Sequence, residues 1–271
     1  MADSFYNKSI ITTGASSGLG AALALELARR GANLTLFSPE AEQQEEVASR
    51  CRRLGAEAVS VIGDVTKAED CKRLVDECAG RFGTVDYLVA NAGISMWTSF
   101  EEVEDLEIFR RLAEVNYLGA VNCIYHALPH LKSSRGMIVA ITSIQARIGV
   151  PQHTGYVASK HALQGFCQAL RLELKDAGVD ILTVLPHWIS GTDLRRRAVG
   201  KDGGDVGRAA RKHSRDAIPV EEACRAIVRA MEKRQRELVM PPKLKALLWL
   251  SLLSPRLADA LIERAVSRQH K

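Results

Sequence analysis

The feature that most constrains the fold is a regular alternation of short apolar segments with longer helix-like ones. The apolar segments are rich in β-branched and aliphatic residues and lie at 8–14, 33–37, 57–62, 85–90, 136–142, 179–185 and 236–240. Helical patterns separate them, at 21–30, 40–54, 67–82, 103–119, 120–133, 155–177 and 219–233. Nearly continuous apolar strands that alternate with helices are typical of a parallel sheet covered on both faces. We therefore expect an α/β fold with a doubly wound parallel sheet.

The chain is long enough for one large core. It has 271 residues, of which 46% are hydrophobic, and it shows no internal repeat, low-complexity tract or linker. A domain of this size buries most of its apolar surface. We expect a single domain over residues 1–271 with a helical extension at 243–271.

A glycine-rich turn, Thr13–Gly20, joins the first predicted strand to the first helix. Glycines let backbone N–H groups approach a pyrophosphate, and the positive end of the helix dipole stabilises its charge. The glycine spacing is G-x-x-x-G-x-G and not the common G-x-G-x-x-G, and the absence of a following Gly-Lys-Ser/Thr excludes a P-loop. The turn predicts a phosphate site; the alternative is a turn that only packs a helix on a strand.

A second pattern consists of Ser143, at the end of an apolar segment, and of Tyr156 and Lys160 in the helical segment that follows. Residues four apart lie on the same helix face. Because an ammonium group favours a neighbouring phenolate, we expect Lys160 to lower the pKa of Tyr156 below its usual value of about 10. Such a phenol passes a proton to or from a carbonyl oxygen, which a serine hydroxyl can also hold. The spacing alone also fits a surface tyrosine and a solvated lysine.

Taken in order along the chain, these motifs resemble the short-chain dehydrogenase/reductase family in its compact single-domain form. The matches are the turn at 13–20, Asp64-Val65 after the third strand, Asn91-Ala92-Gly93 after the fourth, the helix residue Asn116, and the set Ser143, Tyr156 and Lys160. The similarity extends from about residue 5 to residue 240. The resemblance implies a Rossmann-type fold and an NAD(P)-dependent oxidoreductase that interconverts a secondary alcohol and a ketone.

The resemblance also implies a role for each matched residue. Tyr156 would be the general acid in reduction and the general base in oxidation. Lys160 would lower its pKa and bind the nicotinamide ribose, Ser143 would orient the substrate oxygen, and Asn116 would hold a water that leads protons to Lys160. The predicted cofactor-binding residues are Gly14, Ser16, Ser17, Gly18, Leu19, Gly20, Ser38, Asp64, Val65, Asn91, Ala92, Gly93, Tyr156, Lys160, Pro186 and Ile189.

The choice between NAD and NADP depends on the residues after the second strand. A carboxylate there binds both ribose hydroxyls, whereas an arginine attracts a 2′-phosphate. Ser38 stands where NAD-type members carry aspartate, and Pro39 where many NADP-type members carry arginine. Ser17 occupies another position that is often basic in NADP users. With Glu40 nearby and no phosphate-binding cation, we expect NAD or NADP with a lean towards NAD.

Three residues are candidates for the substrate pocket. His187 follows Pro186 where the family usually has glycine, so either the backbone takes a different path or the imidazole reaches the pocket; the alternative is a histidine that fills space or faces solvent. Trp188 comes next, and His153 precedes Tyr156 by three residues, so we expect His153 at the pocket mouth.

Two later segments bear on the substrate. Residues 194–216 contain several glycines and an excess of basic residues, which predicts a mobile substrate lid. The basic residues either attract an anionic substrate or form a solvated charge run. Residues 243–271 are apolar and then amphipathic, but the apolar run is too short to cross a bilayer. They cap the active site, bury a subunit interface or rest on a membrane surface; we favour an apolar substrate entrance or an interface over membrane binding. Similar tails accompany lipid- and steroid-like substrates in relatives within the family, so the resemblance implies a substrate with an apolar body that is lipid-, steroid- or polyketide-like.

Composition limits the remaining function classes. The net charge is only +5 and no basic–aromatic array is present, so we expect no nucleic-acid partner. The six cysteines show no C-x-x-C and no metal-like spacing with histidine, so we expect no metal. The first residues lack the apolar core of a signal peptide, which favours the cytoplasm. The family's helix pairing predicts a homodimer or homotetramer. The rival functions are an epimerase or dehydratase without net cofactor turnover, and a non-catalytic NAD(P)-binding sensor or scaffold.

Overall fold

The computed structural model describes residues 5–207 and 217–267. A seven-stranded parallel sheet forms its centre, in the order β3-β2-β1-β4-β5-β6-β9. The strands are β1 Ser9–Thr13, β2 Asn33–Ser38, β3 Ala58–Ile62, β4 Tyr87–Ala90, β5 Met137–Ile141, β6 Asp180–Pro186 and β9 Glu237–Met240. Two short strands, β7 Ile189–Ser190 and β8 Ile218–Pro219, pair separately.

Helices cover both faces of the sheet. They are α1 Gly18–Ala28, α2 Ala41–Arg53, α3 Ala68–Phe82, α4 Glu107–Ala113, α5 Gly119–Ser134, α6 Thr154–Glu173, α7 Val220–Glu232, α8 Leu244–Leu253 and α9 Pro255–Ser267. Successive strand residues point to opposite faces. Ile10 packs with α1, α2 and α7, whereas Ile11 packs with α3, α5 and α6. The predicted doubly wound, Rossmann-type sheet is confirmed.

The sequence pattern predicted two separate helices at 103–119 and 120–133, and this boundary is wrong. The chain stays helical from Glu107 to Ser134, with a π-helical turn at Glu114–Leu118 between α4 and α5. Gly119 has ordinary helical dihedral angles, so it does not end the helix. π-Helical turns are frequent at functional sites, and this one contains Asn116.

The strand order reverses beside β1, which has β2 on one side and β4 on the other. In open α/β sheets a ligand crevice lies beyond the carboxyl ends of the strands at such a point. The ends of β1, β4 and β5 carry Gly14, Asn91 and Ser143. The topology therefore brings three of the predicted site motifs to one edge of the sheet.

The two C-terminal helices pack on the sheet edge near Leu185 and Val239. Their outer surface is apolar: Trp249, Leu252 and Leu253 are 67%, 73% and 82% exposed. Within the described ranges, no helix is both long and apolar enough to cross a membrane. Residues 268–271 of the predicted extension, and residues 208–216 of the predicted lid, lie outside the described ranges.

All six cysteines are buried and free: Cys51, Cys71, Cys78, Cys123, Cys167 and Cys224. They lie in five helices, on both sides of the sheet. Burial raises the pKa of the thiol of Cys51 to about 11.

Candidate active site

The glycine turn between β1 and α1 is shaped by close backbone contacts. Gly14 and Gly18 have positive φ angles of 61° and 56°, a conformation that favours glycine. A Cβ atom on Gly20 would lie 2.2 Å from the Gly14 carbonyl oxygen, and one on Gly14 would lie 2.9 Å from the Ala92 Cα. Ser16, Ser17, Gly18 and Leu19 line a cleft next to this turn, whereas Gly20 does not. Gly20 therefore allows the helix to start against the turn and leaves its neighbours to face a ligand.

Asn91 connects the ends of β1 and β4. Its Nδ2 donates to the carbonyl oxygens of Thr13, at 2.9 Å, and Gly14, at 3.2 Å. The Thr13 hydroxyl accepts hydrogen bonds from the backbone N–H groups of Asn91 and Ala92, both at 3.0 Å. These four bonds hold the Asn-Ala-Gly turn against the glycine turn, and both turns line the cleft.

Asn116 connects the same region to α6. Its Oδ1 accepts from the Ile94 N–H at 2.8 Å, and its Nδ2 donates to the Ile94 carbonyl and the Ser159 hydroxyl, both at 2.9 Å. The side chain is fully buried. A Cβ atom on Gly93 would lie 3.0 Å from Asn116 Oδ1 and 3.3 Å from Lys160 Nζ. Gly93 thus leaves open the space where the cleft floor, the asparagine and the lysine meet.

Ser143, Tyr156 and Lys160 lie together in the same cleft. The Ser143 hydroxyl accepts a hydrogen bond from the Gln145 N–H at 3.1 Å, and the Ser143 side chain acts to lower the pKa of Tyr156. Lys160 Nζ donates to the Ile141 carbonyl at 2.9 Å and lies 5.8 Å from the centre of the Tyr156 ring. The serine and the tyrosine therefore present two hydroxyls to one place, with the ammonium group behind them.

The expectation that Lys160 lowers the pKa of Tyr156 is wrong for this structure. Burial raises the pKa of the phenol to about 12, with the Ser143 hydrogen bond acting in the opposite direction. Burial also lowers the pKa of Lys160 to about 8. Burial disfavours the charged form of both groups, and the ammonium group points at a backbone carbonyl rather than at the phenol oxygen. Tyr156 is therefore protonated at neutral pH.

The opposite end of the cleft is lined by Ser38, Pro39, Glu40, Asp64 and Val65. Asp64 is held in a tight turn, since its Oδ1 accepts from the Thr66 N–H at 2.9 Å.

The residues around Ser38 offer no phosphate-binding cation, but the structure places an arginine from a distant segment at this end of the cleft. Arg197 lines the cleft, with its Nη1 3.7 Å from Glu40 Oε1. It follows β2 by more than 150 residues, so the residues around Ser38 carry no signal of it.

Near the catalytic candidates, the cleft is lined by Pro186, His187, Trp188 and Ile189. The His187 N–H donates to the Met240 carbonyl at 2.8 Å, which fixes the backbone after β6 in the absence of the family's glycine. The His187 ring lies 5.9 Å from the Trp188 ring, at the cleft wall.

The prediction that His153 lies at the pocket mouth is wrong. His153 is only 3% exposed, and its ring packs 5.4 Å from the Trp97 ring and 6.0 Å from the Trp188 ring, outside the residues that line the cleft. Burial lowers the pKa of His153, whose Nδ1 lies 2.8 Å from the Pro151 carbonyl oxygen. His153 therefore supports the wall from behind.

Sequence reasoning missed two further residues of this wall, Trp97 and Arg195. The Arg195 guanidinium carbon lies 4.4 Å from the ring centres of both Trp97 and Trp188. Arg195 itself lines the cleft. The available signals were a tryptophan four residues after Gly93 and a run of arginines after Pro186, and neither one locates a contact.

These residues fit a dinucleotide cofactor. The cleft has a volume of about 400 Å³ and runs from the glycine turn to Trp188. Its floor is kept free of side chains at Gly14 and Gly93, where a Cβ atom would collide with its neighbours. Serine hydroxyls and a helix N-terminus border one part, as a pyrophosphate requires. The hydroxyl groups of Ser143 and Tyr156 and the amino group of Lys160 border the other part of the cleft.

A family model described as short chain dehydrogenase matches residues 8–202. The chain belongs to the short-chain dehydrogenase family. The predicted membership is thereby confirmed. As a member of this family, the protein is an NAD(P)-dependent oxidoreductase that acts on CH–OH and C=O groups.

Curated relatives match most of this short-chain dehydrogenase. It is 36% identical over 261 residues to 11-beta-hydroxysteroid dehydrogenase A of Sesamum indicum, covering 93% of this chain and 73% of that one. It is 37% identical over 255 residues to 11-beta-hydroxysteroid dehydrogenase-like 4A of Arabidopsis thaliana, covering 92% and 82%. Among solved structures, an alcohol dehydrogenase from the archaeon Thermococcus sibiricus, complexed with 5-hydroxy-NADP, matches with a TM-score of 0.73 and 27% identity over 86% of this chain and 95% of that one.

Proposed function

We propose that this short-chain dehydrogenase interconverts a secondary alcohol and a ketone on a substrate with an apolar body, with Tyr156 as general acid and base. The observation that carries the proposal is the convergence of Ser143, Tyr156 and Lys160 on the cleft that the glycine turn borders. An apolar substrate is supported by Ile94, Ile144 and Trp188 in the cleft wall. The relatives named as hydroxysteroid dehydrogenases point in the same direction.

A bound nicotinamide would supply or accept the hydride. The protein's own residues handle the oxygen and its proton. In the proposal, the hydroxyls of Ser143 and Tyr156 hold the substrate carbonyl oxygen, and in reduction Tyr156 donates its proton to that oxygen as the alcohol forms. A pKa of about 12 keeps the phenol protonated at neutral pH, which suits this direction.

Lys160 and Asn116 have supporting parts in this proposal. The Lys160 ammonium group lies 5.8 Å from the centre of the Tyr156 ring; it would bind the cofactor ribose and stabilise the phenolate that remains after proton donation. Asn116 fixes Ile94 relative to α6 through three hydrogen bonds, so we assign it a positioning role; the predicted water relay to Lys160 stays a prediction.

The cofactor is NAD or NADP. The sequence-based lean towards NAD rests on Glu40 and on the lack of a phosphate-binding cation nearby in the sequence. Glu40 lines the cleft and accepts a hydrogen bond from Ser16, but Arg197 lines the cleft beside it, so the lean stays a prediction. A lid over 194–216, a homodimer or homotetramer, and a cytoplasmic location stay predictions.

The test is an absorbance screen of ketones with NADPH and NADH, and of alcohols with the oxidised forms. Tyr156→Phe removes the proton donor, whereas Tyr125→Phe alters a side chain that is 73% exposed and serves as the matched control. We expect turnover in the wild type and in the control, and a loss of turnover in Tyr156→Phe. Full activity of Tyr156→Phe would refute the proposal, and product formation without net cofactor turnover would favour an epimerase or dehydratase.

A further inference from the structure

The end of the cleft that follows β2, which would hold the cofactor's adenosine, contains two charged residues from distant parts of the chain. Glu40 directly precedes α2, and Arg197 lies in the segment after β7. Arg197 Nη1 is 3.7 Å from one carboxylate oxygen of Glu40, and the Ser16 hydroxyl donates to the other at 2.9 Å. All three residues line the cleft. The guanidinium group of Arg197, which can bind an anion, and the carboxylate of Glu40, which can accept a hydrogen bond, thus lie side by side next to the glycine turn.

The position of this pair is the one that distinguishes the two nicotinamide cofactors. In doubly wound folds the residues just after the second strand meet the adenosine ribose. Ser38 and Pro39 occupy that place in this chain and carry no charge. The charge next to them comes from Glu40 and from Arg197.

The contact between Glu40 and Arg197 is weak enough to open. The side chains are 36% and 48% exposed, and ion pairs of this kind contribute little to stability. A separation of 3.7 Å is also longer than a charge-assisted hydrogen bond of about 2.8 Å. Because a phosphate dianion offers a guanidinium group two parallel hydrogen bonds, it competes well with a carboxylate held at this distance.

We propose that Arg197 and Glu40 form a two-way subsite for the 2′ position of the adenosine ribose. Arg197 binds a 2′-phosphate, and Glu40 accepts a hydrogen bond from a free 2′-hydroxyl. The enzyme therefore accepts both NADP and NAD, and each residue favours one of them. This inference rests on the proposed function, because it assumes that the cleft holds the cofactor.

Two adenosine nucleotides without a nicotinamide ring test this subsite by calorimetric binding. 2′,5′-ADP carries the 2′-phosphate and 5′-AMP does not. We expect Arg197→Gln to weaken the binding of 2′,5′-ADP by about tenfold to a hundredfold, as for the loss of a charge-assisted pair. The affinity for 5′-AMP should stay within about twofold of the wild-type value. Glu40→Gln should have the opposite effect. It should tighten the binding of 2′,5′-ADP, because it removes a negative charge next to the 2′-phosphate, and weaken the binding of 5′-AMP.

Arg196→Gln is the matched control. Arg196 is the neighbouring arginine, its Nη1 lies 3.3 Å from the Asp193 carboxylate, and it does not line the cleft. We expect it to leave the affinities of both nucleotides unchanged. An Arg197→Gln variant that binds 2′,5′-ADP as tightly as the wild type, or that weakens both nucleotides equally, would overturn the inference.

Direct titration with NADH and NADPH separates this inference from the proposed function. If the wild type binds both dinucleotides and Arg197→Gln still binds NADPH at full affinity, the subsite is wrong and the proposed function stands. If the correctly folded wild type binds neither dinucleotide, the proposed function is wrong as well.

Discussion

Replacing Asn116 by alanine offers a quantitative test of how the site is held together. The side chain makes three hydrogen bonds from inside the π-helical turn, two to the backbone of Ile94 and one to the hydroxyl of Ser159. In Asn116→Ala the two backbone groups of Ile94 lose these partners. The Ser159 hydroxyl keeps its bond to the Tyr156 carbonyl at 2.8 Å.

The expected cost follows from these contacts. A buried hydrogen bond contributes about 1 kcal/mol net, and a polar group left without a partner costs about 1–3 kcal/mol. We therefore expect Asn116→Ala to lower the free energy of unfolding by about 3 kcal/mol.

Asn122→Ala in α5 is the matched control. Asn122 makes one side-chain hydrogen bond, from its Nδ2 to the Val65 carbonyl at 3.0 Å, so its loss costs about 1 kcal/mol. Both variants replace asparagine by alanine within a helical segment. The gain in helix propensity therefore cancels when their free energies of unfolding are compared.

The measurement is urea unfolding followed by tryptophan fluorescence. A difference between the two variants of less than about 0.5 kcal/mol would contradict the view that Asn116 ties the turn after β4 to α6.

Three further predictions address the catalytic pair and the glycine turn. We expect Tyr156→Phe to lower kcat by about 10²–10⁴-fold in steady-state assays, as for the loss of a general acid; a smaller loss would contradict the assigned role. Because burial lowers the pKa of Lys160 from 10.5 to about 8, its charged form destabilises the fold fully below pH 8, and the penalty is relieved as the pH rises towards 10.5. The stability advantage of Lys160→Met in urea unfolding should therefore shrink by about 2 kcal/mol between pH 8 and pH 10, and a constant difference would refute this. Gly20→Ala forces a Cβ atom to within 2.2 Å of the Gly14 carbonyl oxygen and should cost about 1–3 kcal/mol in thermal unfolding, whereas Gly165→Ala has open space and should stabilise α6 by about 0.5–1 kcal/mol; equal effects would contradict the close packing.

Much of the fold could be predicted because parallel strands buried on both faces read as continuous apolar runs. All five residues of β5, Met137–Ile141, are buried, and the sequence predicted a strand at 136–142. The π-helical turn could not be predicted in this way, since Glu114–Leu118 contains no glycine or proline that would interrupt a helical pattern.

The site residues also fall into two groups, those that a strand end places and those that only the tertiary structure places. Gly14, Asn91 and Ser143 could be located from sequence because each follows a strand end, and parallel strand ends meet at one edge. Arg197 comes from a segment without a regular period, and its approach to Glu40 depends on the tertiary path of that segment. The raised pKa of Tyr156 is also a tertiary effect, because it depends on burial that a Tyr-x-x-x-Lys spacing does not report.

The six buried thiols provide natural probes for local unfolding of the helices on both sides of the sheet. Thiolates are the reactive form, so thiols buried in helices on both sides of the sheet react with an alkylating reagent only when their helix opens. Cys51 in α2 and Cys224 in α7 report on one layer; Cys71, Cys78, Cys123 and Cys167 report on the other. Mass spectrometry of alkylated peptides at increasing urea would then show which layer opens first, without a single engineered label.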